Sequence, residues 1–208
     1  MQKDSILSSI KDQSLIEKRR NQIIRGAITL FKDKGFHRTT TREIAKAAGF
    51  SIGTLYEYIR TKEDVLFLVC DSIYLQVRKR LEAQIDLNNS SVEHFTNVIR
   101  SYFYLMDEMQ EEVLIMYQEV KSLKNESKEY VLKKEWDMLA ILERLIATSF
   151  PDSLSLRKRK LLANNIFIIG QMWAFRRWML QKQFTLEEYT DYQIHFLMNS
   201  IKGYNESV

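Results

Sequence analysis

From Thr40 to Lys62 the chain reads TTREIAKAAGFSIGTLYEYIRTK, and nearly every position in that stretch restricts what the backbone can do. Thr40 and Glu43 have the spacing of a capping box, in which the hydroxyl accepts from the third helical N–H while the carboxylate reaches back to the cap's own N–H. A helix starts there. Ile44, Ala45 and Ala48 recur at helical spacing and form an apolar face small enough for a second helix to lie close. Gly49 ends the helix, because a residue without Cβ takes the left-handed conformation at low cost, and Ser51 is a preferred cap for a new one. The second helix is expected over Ile52 to Ile59, with Leu55 and Ile59 inward and Ile52, Gly53, Thr54, Tyr56 and Tyr58 outward.

Two short helices around a Gly turn form the geometry that lowers the N-terminal end of the second helix into the major groove of DNA. Ile52 can meet a thymine methyl there, and Gly53 allows close backbone approach. The same pattern also suits an ordinary hairpin inside a helical bundle, so the flanking residues have to decide. From Arg20 to Leu66 the chain resembles the N-terminal domain of the TetR family of transcriptional repressors. The resemblance is carried by Ala27, Leu30-Phe31, Gly35-Phe36, Thr40-Thr41, Ile44-Ala45, Ala48-Gly49, Ser51, Gly53, Leu55-Tyr56, and Lys62 with Glu63 and Leu66. Gly26 and Ile59 depart from it, standing where the family usually has Ala and Phe, and both are inward positions.

That resemblance implies a DNA-reading head in which Arg42 contacts a base and Ser51, Ile52 and Gly53 open the reading helix. A guanidinium can give two hydrogen bonds to guanine O6 and N7, a pairing that discriminates by about 1–3 kcal/mol. Thr41, Thr54, Tyr56, Tyr58 and Lys62 match positions that contact phosphates, and hydroxyl, phenol and ammonium donors suit that task. Thr41 and Tyr58 also fit roles as a cap and as partly buried packing. A dimer would carry two such helices about 34 Å apart or somewhat more, so the implied target is a palindromic operator in double-stranded DNA.

The rest of the chain supports an all-α protein. One Pro and six Gly in 208 residues are too few turn residues for sheets or barrels. No run of about 18 apolar residues offers a membrane span, and MQKDSILSSIK lacks a hydrophobic signal core, so a cytoplasmic protein is expected. Residues 1–64 hold 13 Lys/Arg against 8 Asp/Glu, whereas residues 65–208 hold 18 against 19. A basic head on a near-neutral body suits phosphate binding. The single Cys70, among Leu66, Phe67, Leu68 and Val69, reads as core.

In chain order, residues 1–16 read as a frayed arm or an extension of a first helix over about Leu15 to Lys34. Lys18, Arg19 and Arg20 are either an arm toward the minor groove or a solvated helix start. We divide the chain into an N-terminal arm and helix-turn-helix domain (1–64) and a helical ligand-binding and dimerisation domain (65–208), joined by a helix from Val65 to about Ile85. Asn88-Asn89-Ser90-Ser91 breaks the chain, and helices follow over Val92 to Met109, Glu111 to Leu123, Ser127 to Phe150, Leu154 to Gln181 and Phe184 to Ile201. The last two are amphipathic neighbours suited to packing against a second copy as a four-helix bundle, hence a homodimer.

The body is rich in aromatic and Met residues, most of them core at this spacing. The family resemblance implies a small effector bound inside it, hydrophobic in character, for which Tyr102, Phe103, Met106, Tyr117, Trp136, Met172 and Trp173 are the candidate lining residues. Arg176, next to Arg177 in an aromatic-rich run, either faces an acidic effector such as a fatty acid or acyl-CoA or belongs to a solvated or ion-paired Arg pair. Enzyme chemistry finds no support: His37, His94 and His195 lack metal-ligand spacing, and no phosphate-cradling Gly loop or nucleophile elbow is present. No catalytic residue, metal or cofactor is expected. A helical scaffold is the alternative function, and it leaves Thr40 to Lys62 unexplained.

Overall fold

Gly35 and Gly49 take left-handed φ values of 81° and 76°, and each ends a helix that a cap or apolar stripe began. In the computed structural model, residues 2–203 are described, with side chains from 13 to 202. The first helix, α1 (Gln2–Lys34), buries Ile23, Ile24, Ala27 and Phe31. It starts well before the expected Leu15, and the side chains of the expected arm before residue 13 lie outside the described residues. α2 (Thr41–Ala48) carries the expected capping box on Thr40 and Glu43, and it ends where the Phe50 N–H donates to Ala45 O at 2.8 Å.

α3 (Ile52–Tyr56) is shorter than the Ile52–Ile59 helix expected from the sequence. Beyond Tyr56 the chain tightens, with Tyr58 N–H donating to Leu55 O, because the backbone N–H groups of Arg60 and Thr61 are already committed to the Asp64 carboxylate that opens the next helix. Ile59 is still buried. That next helix, α4 (Lys62–Gln84), has Val65, Leu66, Val69, Cys70 and Ile73 in full burial. Burial pushes the Cys70 thiol up to about 12, as fits a core cysteine rather than a reactive one.

The chain forms two compact units. The first takes residues up to Ser72 together with Ile115–Val131. The latter segment holds the end of α6 (Gln110–Glu119), a 3-10 turn (Val120–Ser122) and the start of α7 (Asn125–Ser149). Lys124 Nζ donates to Thr61 Oγ1 at 3.3 Å and pairs with Asp64 at 3.2 Å, and the rings of Phe67 and Tyr130 meet edge to face.

The second unit takes Ile73–Leu114 and the residues from Leu132 on. α5 (Val92–Glu108), capped by Ser91, lies against α8 (Leu156–Phe175) and α10 (Leu186–Gly203). A Cβ at Gly170 would fall 2.5 Å from Tyr102 Cε1, so the absence of a side chain lets α5 and α8 approach. The Tyr102 hydroxyl donates to Phe167 O at 2.9 Å and the Tyr189 hydroxyl to Ile169 O at 2.7 Å, which satisfies two buried phenols. The single expected helix from Leu154 to Gln181 is broken at Arg176 (φ −110°, ψ 22°), giving α8 and a short α9 (Arg177–Gln183). Among the described residues there is no strand.

Candidate nucleic-acid interface

The helix pair α2 and α3 is held from within by Ile44, Ala45, Ala48 and Leu55, all buried, which leaves its other side to carry polar groups outward. Lys34 of α1 forms a close ion pair with Glu43, and the Thr40 hydroxyl and N–H share the same carboxylate. These partners, Lys34 foremost, hold the Glu43 carboxyl down at about 2, so it is charged at any ordinary pH. The start of α2 is thereby fixed relative to the end of α1.

On this scaffold Arg42, Ser51, Ile52, Gly53 and Tyr56 are exposed, and Thr41, Thr54 and Tyr58 are half-buried. The Thr41 hydroxyl and the Tyr56 phenol lie 3.3 Å apart, so the first turn of α2 and the end of α3 present neighbouring donors. The Ser51 Oγ is the cap of α3, accepting from the Thr54 N–H at 3.0 Å. Gly53 has normal helical φ, and a Cβ there would meet only Ser51 Oγ at 3.7 Å. The fold has room for a side chain at that position and does without one. Lys62 stands apart from the rest: its ammonium donates to Phe36 O at 2.8 Å and His37 O at 3.1 Å and lies 4.3 Å from the Phe36 ring centre. It ties the start of α4 to the loop between α1 and α2. Tyr58 stacks on Phe50, a ring in the turn that sequence reasoning passed over because nothing local marks it.

In the second unit Tyr102, Phe103, Met106 and Trp173 are each buried. The rings of Phe103 and Trp173 both meet Tyr189, at centroid distances of 6.1 Å and 5.1 Å, and Tyr102 lies 6.0 Å from Phe103. Met172 is half-buried beside them in sequence. Trp136 is 72% exposed, and Tyr117, 63% exposed, belongs to the other unit. Arg176 is exposed with its guanidinium 5.3 Å from the Trp178 ring centre, whereas Arg177 pairs with Glu111 at 2.7 Å. A cleft of about 570 Å³ between α4 and α5 is lined by Arg80, Gln84, Ser101, Tyr102, Tyr104 and Glu108 among others. Of the candidate effector residues only Tyr102 lines it. Across it Arg80 donates to Glu108 at 2.6 Å.

Residues 23–69 match the model of the bacterial regulatory proteins of the TetR family. Over 90% of the chain and 82% of the relative's length, the sequence is 28% identical to the transcriptional regulator HbdR of Aromatoleum sp. strain CIB. The chain thus carries the N-terminal domain of the TetR family. It is also 33% identical to the fatty acid metabolism regulator protein of Bacillus subtilis strain 168, across 41% of the chain and 44% of that protein. The solved structure of a TetR-family regulatory protein from Rhodococcus RHA1 superposes with a TM-score of 0.76 over 88% of this chain and 96% of that one, at 18% identity. AibR in complex with isovaleryl coenzyme A and operator DNA gives 0.70 over 86% and 97%, at 21% identity. The fold is that of a TetR-family protein, and the function is that of a DNA-binding transcriptional regulator, not an enzyme. No helix among the described residues is long and apolar enough to cross a membrane.

Proposed function

We propose that this TetR-family chain is a repressor that binds a palindromic operator as a homodimer and is released by a small hydrophobic effector. The observation that carries the DNA half is that α2 and α3 expose Arg42, Ile52 and Tyr56 together with Gly53, a glycine whose position leaves room for a side chain. In this reading residues 1–64 are the DNA-binding head and residues 65–208 the effector and dimerisation body, working in the cytoplasm. Arg42 reads a base edge, Ile52 and Gly53 supply shape and methyl contact, and Thr41, Ser51, Thr54, Tyr56 and Tyr58 meet the backbone. Lys62 contributes by holding the loop before α2 and keeps one ammonium N–H for a phosphate.

The dimer is supported by exposed apolar residues on α8 and α10, Leu161, Ile168, Tyr192 and Phe196, which a second copy would cover. For the effector, the apolar burial of Tyr102, Phe103, Met106 and Trp173 favours an apolar group. A relative named for fatty acid metabolism and a structural neighbour solved with an acyl-CoA favour a fatty acid or acyl-CoA. Effector binding lowers operator affinity only to the extent that it prefers the conformation unable to bind.

The test is selection of bound duplexes from a random pool by the full-length protein, repeated with Arg42→Ala. A single palindromic motif is expected, which the variant relaxes at one position by about 1–3 kcal/mol. Selection of no motif by the wild-type protein would refute specific repression and leave the scaffold alternative.

A further inference from the structure

Arg19 lies on α1 one helical turn before Ile23, and its guanidinium sits 4.9 Å from the centre of the Phe50 ring. Phe50 is the last residue of the turn before Ser51 caps α3. The same ring stacks with Tyr58, centroids 6.4 Å apart and planes 20° from parallel. Three side chains from α1, from the turn before α3 and from the segment just after it thus form one row beside the reading helix. Stacking on a ring restrains a guanidinium without using any of its five N–H donors, which remain at its edges.

We propose that Arg19 is a further DNA-backbone contact, held by Phe50 so that its free edge receives a phosphate on the duplex that α3 reads. This rests on the DNA-binding reading above. A phosphate fits better than a base because Arg19 comes from α1, outside the helix whose N-terminal residues occupy the groove, and a planar fork matches two phosphate oxygens. The helices also meet away from the row. α1 and α2 already meet at Gly26, where a Cβ would lie 3.1 Å from Ala47 and from Ala48 N. Lys18 and Arg20, both exposed, add positive charge along the same stretch of α1. Phe50 is then a positioning residue for the contact.

The experiment measures the affinity of the full-length protein for its selected duplex and for a random duplex across a salt series, with wild type, Arg19→Gln, Arg19→Lys and Phe50→Leu. Arg19→Gln should weaken binding to both duplexes by about tenfold at low salt and reduce the slope of log K against log salt by about 0.9. Arg19→Lys should restore the slope, and Phe50→Leu should lose affinity with the charge still present. Four results overturn the proposal. One is a wild-type slope and affinity in Arg19→Gln while the wild type selects a motif. Another is a loss confined to the selected duplex, which would make Arg19 a base reader. A third is a loss that follows a fall in thermal stability, which would make the row a staple. Failure of the wild type itself to bind any duplex removes the DNA reading and this contact together.

Discussion

At Gly53, on the outward side of α3, a Cβ would meet only Ser51 Oγ at 3.7 Å, whereas at Gly170, between α5 and α8, it would lie 2.5 Å from Tyr102 Cε1 and 3.1 Å from Phe103 Cδ1. Neither glycine has positive φ, so backbone freedom explains neither of them. Glycine inside a helix costs about 1 kcal/mol relative to alanine. At Gly170 the close approach of two helices offsets that cost. At Gly53 nothing among the described residues does, and a duplex lying against α3, as proposed above, would. Filled space around Gly170 belongs to packing between helices, and open space around Gly53 suits the proposed contact.

The contrast can be broken by experiment. Gly170→Ala should destabilise the protein by about 1–3 kcal/mol through overpacking against a ring that its own hydroxyl holds in place. Thermal or urea unfolding reads this, and a variant as stable as wild type would mean that α5 and α8 can separate freely. Gly53→Ala should do the reverse: unchanged stability or a gain of up to about 1 kcal/mol, with duplex affinity reduced severalfold in a binding titration. A loss of stability there would make Gly53 a packing residue and remove the distinction.

The smallest effect sharpens the head side of the comparison. Glu43 has its folded value depressed to about 2 from the usual 4.5 by Lys34 and Thr40. A depressed carboxyl contributes stability that is present above the unfolded value and is lost as pH falls through the folded one. Glu43→Gln should therefore unfold at lower urea than wild type at pH 7, and the gap should shrink between about pH 4.5 and about pH 2. A gap that persists at the acid end would assign the effect to cap geometry rather than to charge.

How far each region could be read in advance follows the distance in sequence over which its interactions act. The Thr40 cap, the Gly49 stop and the Ser51 cap each involve partners a few residues apart, so their residue types are sufficient to recognise them. The end of α3 was not legible, because Asp64 draws the Arg60 and Thr61 N–H groups out of the helix from the far side of the turn. In the body, Trp173 finds Asp107 across 66 residues at 2.6 Å and Arg177 finds Glu111 across the same separation. No local pattern announces such pairs. The run WAFRRWML reads as one helix, and the break at Arg176 emerges only in the folded chain.

What the sequence determined by itself was an all-α chain with a capped, glycine-stopped helix pair of the TetR type, because caps, stops and apolar periodicity are properties of neighbouring residues. Tertiary structure alone decided which aromatic residues are buried with Tyr189 and which, like Trp136, remain exposed. It also placed Lys62 on two backbone carbonyls and Arg19 over Phe50. A long side chain chooses among partners that only packing brings within a few ångströms, and helical spacing alone gives the face on which a residue lies, not what that face meets.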